Sequence, residues 1–389
     1  MAQNTSSRAL LAMAVAILFA FMGIGVVDPI LPTIASAMGA SHWETEMLFT
    51  SYLGIMALAM LLVPAVSTRI GAKRTMVIAL AVAALSAAAC GFMDSIWPLA
   101  IARGFWGLGN AFFTPTALSL LIGISPSLSR GITIFEAGIG LGVASGPLLG
   151  GFLGGINYHM PFFGTAVMLL LACLACLFWV KDAGERESPQ PLLRVFAPLL
   201  HPPFLIVSLT AALYYYAYFT ILSYSPLYLN MEVLTLGLVF FGWGLGVAVG
   251  SVFIVNYLLR FFKVVPILLG SLLAMLICFA VILTSGSMGW ATAAIILVGI
   301  PSGICNALYT AVSVEVSPYT RSVSTASYNF LRWIGSAIAP VMAGFLGQAY
   351  APEVPYEVAV GMVIVAGLVL FVLRHPLTRA QERAEAGSH

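Results

Sequence analysis

Charge is what this sequence has least of. Aspartate, glutamate, lysine and arginine together make up 8% of 389 residues, while the apolar set reaches 61%. Soluble domains carry about 25% charged residues. A chain this short of ionic surface cannot keep a compact fold dissolved in water, so composition excludes a soluble enzyme and a nucleic-acid-binding module. Cysteine is also scarce, with five residues: Cys90, Cys173, Cys176, Cys278 and Cys305. Cys173 and Cys176 form a CxxC inside an apolar run, where they read as small apolar residues one helical turn apart, and no metal site is predicted. His42, His159, His201 and His375 fall at the ends of apolar runs. No nucleophile–base arrangement, phosphate-binding loop or ATPase segment accompanies them, so no enzyme and no cofactor is expected.

What is present is a series of apolar runs, each long enough to span a bilayer at about 20 residues. They read at 10–36, 44–67, 73–93, 97–122, 130–155, 160–180, 203–229, 234–259, 264–285, 289–315, 323–349 and 355–375. Twelve spans make an all-α polytopic membrane protein. The first run is too long for a cleavable signal and is expected to stay as span 1. The longest connection, KDAGERESPQPLLRVFAPLLHP, divides the chain into residues 1–180, a linker at 181–202, and residues 203–389.

Apart from Arg103 and Arg332, every lysine and arginine falls in alternate connections or in the termini. The intervening connections hold only acids: Glu44, Glu46, Asp94, Glu232, Glu353 and Glu357. The bias predicts that both termini and the 181–202 linker are cytoplasmic.

The two parts of the chain share a pattern. Ser125-Pro126 and Arg130 before span 5 match Ser317-Pro318 and Arg321 before span 11. Laying Gly146-Pro147 on Ala339-Pro340 also superposes Gly142 on Gly335, Gly151 on Gly344 and Gly154 on Gly347. Parallel repeats with a substrate site near the midplane between them are one architecture of secondary transporters.

Four motifs in four spans then give a resemblance. TRIGAKR, Thr68 to Arg74, resembles the basic loop between helices 2 and 3 of the major facilitator superfamily, with Pro64 and Thr68 in place of the usual glycine and aspartate. ARGFWGLGNA resembles the RxxxGxG element of helix 4 and supplies Arg103, Gly107 and Gly109. DPILP, Asp28 to Pro32, resembles the proline-bearing element of helix 1 in drug exporters. GVASGPLLGG resembles the glycine-proline signature of helix 5 in exporting antiporters, with Thr133 in place of an earlier glycine. The resemblance implies the twelve-helix fold and the drug/proton antiporter group.

Gly142, Gly146 and Gly150 recur every fourth residue, a smooth stripe along which another helix can approach closely. Pro147 removes one backbone bond and favours a kink. With Gly151, these residues are the expected gate, since in the resembling family this helix lies at the boundary between halves; the alternative is ordinary small-residue packing. Ionisable groups inside the spans call for a reason. Asp28 and Arg103 come to comparable depth and are expected to pair or communicate, the alternative being a fixed buried pair. Glu136, about two turns into span 5, is a further proton carrier by this reading, or else a structural partner of Arg332. Tyr214, Tyr218 and Tyr228 share approximate helical spacing on span 7 and offer a wall for flat amphipathic ligands. Asn110, Asn306, Tyr309, Asn329 and Arg332 are the remaining polar residues assigned to substrate.

The function expected is proton-driven export of amphipathic small molecules or drugs by alternating access. The alternatives are a dedicated exporter of one metabolite and a lipid-handling or non-transporting receptor. Partners are the small-molecule substrate, protons and the bilayer, with no nucleic acid; the protein is expected to act as a monomer in a bacterial inner membrane.

Overall fold

The computed structural model describes residues 2–181, 192–319 and 321–373. Among them the regular elements are helices. Eleven are long and apolar enough to cross a membrane, and the bent pair His42–Met60 and Val63–Ile70, at 61°, makes a twelfth. In chain order the spans are α1 (Ser7–Met38), α2 (that bent pair), α3 (Ala72–Cys90), α4 (Ile96–Ile124), α5 (Leu128–Gly154), α6 (Met160–Trp179), α7 (Pro202–Leu229), α8 (Val233–Leu258), α9 (Val264–Thr284), α10 (Met288–Glu315), α11 (Arg321–Ala349) and α12 (Val354–Val372).

Several spans are not continuous α-helix. In α1 the first helical stretch ends at Gly25, and one 3-10 turn, Asp28–Ile30, precedes the second, Leu31–Met38. Pro29 causes this: it has no N–H to donate, and its ring collides with the carbonyl four residues back. One π-helical turn interrupts α7 at Thr220–Tyr224 and another interrupts α8 at Gly250–Ile254. By contrast α5 runs through Pro147 as one helix.

The connections separate two faces of the bundle. The basic face carries Arg69, Lys73, Arg260 and Lys263; the opposite, acidic face carries Asp94, Glu232 and Glu353. The α2–α3 turn on the basic face needs Gly71, whose φ of 91° disfavours any residue with a Cβ. On the acidic face Ser41 and Glu44 form a capping box that starts α2, so Glu44 is a capping residue rather than a loop acid. Glu46 corrects the sequence reading further. It lies inside α2, fully buried, because α2 begins at His42 and turns that side chain inwards.

Packing follows one rule twice. The first six spans contact one another through α1–α5, α1–α6, α2–α4, α3–α4 and α3–α6; the last six through α7–α11, α7–α12, α8–α10 and α9–α12. Two extensive pairs cross between the sets, α2 with α11 and α5 with α8. A methyl placed on Gly142 of α5 would lie 2.6 Å from the Leu18 carbonyl oxygen of α1, and one on Gly335 of α11 would press on the backbone of Ala212 in α7. Further along, a methyl on Gly151 would lie 3.0 Å from Cα of Gly237 in α8, and one on Gly344 would lie 2.8 Å from Cα of Trp43 in α2. Residues paired by the sequence repeat therefore make equivalent contacts, first within a set and then across the seam.

Candidate functional site

The site is built where α1 breaks. The turn at Asp28–Ile30 holds the Asp28 carboxylate inside the bundle, fully buried, with neither oxygen hydrogen-bonded among the described residues. Gly25 and Pro147 flank it: a methyl on Gly25 would meet Pro147 Cδ at 3.0 Å and Asp28 Oδ2 at 3.2 Å.

Arg103 of α4 is also fully buried, but among the described residues it forms no ion pair with Asp28. Its Nη1 donates to the Gly23 carbonyl at 3.0 Å and its Nε to the Leu48 carbonyl at 3.4 Å. The guanidinium carbon lies 4.5 Å from the Tyr52 ring centre and 4.8 Å from that of Trp106. Carbonyls and aromatic faces thus hold the charge, an arrangement that the planar guanidinium, with donors fixed in one plane, suits better than an ammonium. Of the two expected relations, pairing or communication, no direct pair forms among the described residues, and Arg103 lies within electrostatic reach of Asp28.

The glycines of the same α4 motif serve packing. A methyl on Gly107 would press into the Tyr52 backbone, and one on Gly109 would come within 2.8 Å of the Ala79 carbonyl oxygen. Asn110 is a strut, donating to the Ala20 carbonyl at 2.9 Å and to the Tyr52 hydroxyl, so its amide is committed to tying α4 to α1 and α2.

The last six spans supply an aromatic and polar wall. Arg332 Nη1 donates to the Tyr215 hydroxyl at 3.0 Å, to Asn306 Oδ1 at 3.3 Å and to Thr310 Oγ1 at 3.4 Å. The same guanidinium faces the rings of Tyr215, Trp333 and Tyr328 at 4.7, 5.0 and 5.2 Å. Tyr218 stacks on Tyr215 and meets Trp243 edge-on, and it lies within electrostatic reach of both Asp28 and Arg332. Tyr214 donates to the Ser302 carbonyl at 2.6 Å and stacks on Tyr309. Tyr228 stands apart: it packs edge-on against Tyr356 of α12 at 5.1 Å, near the acidic face. The π-helical turn at Thr220–Tyr224 lies between Tyr218 and Tyr228 and breaks the even spacing on which the sequence grouping rested.

Asn329 and Arg332 are half-buried on α11, and Asn306 is half-buried on α10. Access thus increases from Asp28 towards Arg332. Glu136 belongs to α5, but its side chain lies outside the described residues, as does the expected pairing with Arg332. Sequence reasoning missed Thr310, Trp333 and Trp243, and set Tyr215 only on an arc beside Tyr214 and Tyr218. The signal for Tyr215 was its place in the run Tyr214-Tyr215-Tyr216; Thr310 and Trp243 carry none.

The glycine stripe also divides. Gly142, Gly146 and Gly150 face the carbonyls of Leu18, Met22 and Val26 on α1, within the first six spans. The face of α5 that meets α8 is a different one: Ala144 against Gly244, the Pro147 carbonyl against Gly237, and Gly151 against Gly237. The Gly-Pro motif therefore lets α5 lie close to two helices at once, one in each set.

The sequence profile of the Major Facilitator Superfamily matches residues 13–340. The chain belongs to that superfamily. It is 37% identical to the multidrug efflux protein YfmO of Bacillus subtilis over 373 residues, covering 94% of this chain and 93% of that protein. It is 22% identical to the quinolone resistance protein NorA of Staphylococcus aureus, with 91% and 93% covered. Among solved structures, a bacterial homolog of the human lysosomal transporter Spinster, inward-facing and unoccupied, superposes with a TM-score of 0.77 at 16% identity, covering 98% of each chain. As a member of the superfamily the chain is a multi-pass membrane protein, and the doubled packing of α5 and α11 is the geometry on which its two sets of six spans meet.

Proposed function

We propose that the chain is a proton-coupled exporter of amphipathic small molecules, drugs among them, working by alternating access. Residues 1–180 and 203–389 are the two moving bodies, the 181–202 linker joins them, and the basic face is cytoplasmic, as lysine and arginine bias requires of a bacterial inner-membrane protein. The likeness to multidrug efflux and quinolone resistance proteins supports export as the direction.

The observation that carries the reading is Asp28. An unpaired ionised carboxylate in an apolar interior costs several kcal/mol, an order-of-magnitude figure. A helix broken to place an acid there, beside the Pro147 seam and within reach of Arg103 and Tyr218, suits a group that gains and loses a proton as access alternates. Arg103 keeps a positive charge within electrostatic reach of Asp28. Glu136 is the second candidate for the coupling proton. The aromatic wall of Tyr215, Tyr218, Trp243 and Trp333 supplies flat apolar contact; Pro147 and Gly151 stand on the flexing seam, while Gly142, Gly146 and Gly150 hold α5 against α1 beside it.

The test is transport in proteoliposomes under an imposed pH gradient, using lipophilic cations and neutral drugs on wild type, Asp28→Asn and Glu136→Gln. Gradient-driven flux by the wild type, lost in one variant while downhill exchange persists, supports the reading and identifies the coupling residue. Equal driven flux in all three proteins makes the acids structural and rules the mechanism out.

A dedicated exporter of one metabolite is the second reading. It is favoured by the Arg332 guanidinium, held in place by the acceptors of Tyr215, Asn306 and Thr310, which suits a ligand with an acceptor group at a fixed place. A steep loss of flux for analogues lacking that one group distinguishes it.

A further inference from the structure

Glu46 has no role in the account above, and it occupies an unusual place. It lies one turn into α2 from the acidic face, fully buried, with both carboxylate oxygens without a hydrogen-bond partner among the described residues. The helices around it belong to the other set of six. A methyl on Gly344 of α11 would lie 2.9 Å from Glu46 Cγ, so the two helices touch at that point. Ser223, in the π-helical turn of α7, is its neighbouring hydroxyl, but that hydroxyl donates to the Phe219 carbonyl at 2.9 Å. One step deeper, Thr50 of α2 donates to the Ala337 carbonyl of α11 at 2.8 Å, which closes the seam below Glu46.

We propose that Glu46 is a gating proton site. It takes a proton from the outer solution while the seam between α2, α7 and α11 is open, its neutral form is buried as the seam closes, and the proton returns to the same side on reopening. The reaction is protonation of one carboxylate oxygen by solvent and its reversal; no other bond changes. The inference rests on the exporter reading for its sense of inside and outside, and it adds a proton that gates rather than drives.

Three things point this way. The carboxylate is at an interface that must part for outward access, not in the interior of one body. Among the described residues its surroundings offer no lysine or arginine to compensate it. The groups that face it electrostatically are Asp28 from α1, Tyr224 from α7 and Tyr356 from α12, all acidic or neutral, while His42 and Glu44 precede it on α2. An ionised Glu46 would thus be unpaired in a buried interface, which favours parting of the seam to hydrate it. A neutral one removes that drive. Gly344 completes the device, since any larger residue there would hold α2 and α11 apart whatever the charge on Glu46.

Amide hydrogen exchange on the intact, purified chain tests this without needing a substrate. The backbone of residues 42–50 and 343–349 should exchange faster as pH rises, beyond the intrinsic chemical acceleration, because ionisation of Glu46 opens the seam. In Glu46→Gln that excess is expected to vanish and both segments to stay protected. In Glu46→Asp, which keeps a carboxyl one methylene shorter, it should persist with a displaced midpoint. Asp28→Asn should retain a pH response.

An excess in Glu46→Gln equal to wild type overturns the proposal, as does one lost in Asp28→Asn alone. If the Gln variant is not recovered folded, an unchanged midpoint in Glu46→Asp does the same. Gradient-driven flux supplies the separation from the exporter reading: its absence in the wild type would sink that reading while leaving the seam measurement to judge Glu46.

Discussion

Gly151 of α5 and Gly237 of α8 meet backbone to backbone: a methyl on the first would lie 3.0 Å from Cα of the second. This is a contact between the two sets of six spans, and neither helix can withdraw from it without opening the acidic face. Replacing Gly151 by valine is expected to cost about 1–3 kcal/mol of that contact by overpacking, enough to shift the open–closed balance roughly 5- to 150-fold. Substrate flux falls and amide exchange at residues 233–240 rises. Unchanged exchange there would show that the seam is not what Gly151 supports.

Gly142 and Gly146 should behave differently, because they face α1 in their own set. A methyl on Gly146 would lie 2.5 Å from the Met22 carbonyl oxygen, so Gly142→Ala and Gly146→Ala are expected to lower thermal stability by about 1–3 kcal/mol. Gly270→Ala and Gly361→Ala are the controls. Nothing lies within 4 Å of a methyl at either, and both sit inside helices, where alanine gains about 0.5–1 kcal/mol over glycine. A melting series in detergent that ranks the four alike would contradict the packing.

Arg103→Lys should be far from conservative. Lysine cannot donate to the Gly23 and Leu48 carbonyls in the same plane while facing Tyr52 and Trp106. The loss is about 1.5–3 kcal/mol, the range for hydrogen bonds to a charged group. Gradient-driven flux is expected to fall at least tenfold, and a lysine variant with wild-type flux and melting temperature would refute the assigned role.

Tyr215→Phe removes the hydroxyl that joins Asn306 to Arg332 and leaves the ring in place. Ligands bearing an acceptor group should show a KM raised about three- to tenfold, the size of one ordinary hydrogen bond. Purely apolar ligands should be unaffected. Equal effects on both classes would remove Arg332 and its neighbours from the substrate site.

Raising the pH tests Asp28 through flux rather than through structure. If Asp28 carries the coupling proton, driven flux in wild type rises and falls with pH on the side from which protons load, and Asp28→Asn flattens that profile. A profile equally steep in the variant would place the coupling proton on another carboxyl, with Glu136 next to be examined.

The twelve spans were legible because each must satisfy its backbone internally and meet lipid with apolar side chains, and length with hydropathy reports both. Motifs marked α1, α4 and α5 because their glycines and prolines have local backbone consequences. Side-chain partnerships were not legible in the same way. Asp28 and Arg103 were set at similar depth by residue counting, yet depth does not give rotation about a helix axis. The guanidinium turned to the Gly23 and Leu48 carbonyls instead. Tyr228 was grouped with Tyr214 and Tyr218 on an ideal helical period, but a π-helical turn lies between them and its ring packs against Tyr356 of α12.

By itself the sequence determined the membrane setting, the number of spans, the internal repeat and the presence of buried charges, because these follow from composition and from periodicity along one chain. Only the tertiary structure decided which groups on different helices meet, across the seam or within one set. It placed Glu46 against Gly344 and Ser223, Gly151 against Gly237, and Arg332 among Tyr215, Asn306 and Thr310. Each of these contacts joins residues far apart in the chain, and its geometry depends on how two helices are rotated and inclined against each other, which the packing of whole side-chain surfaces sets and no local run of residues encodes.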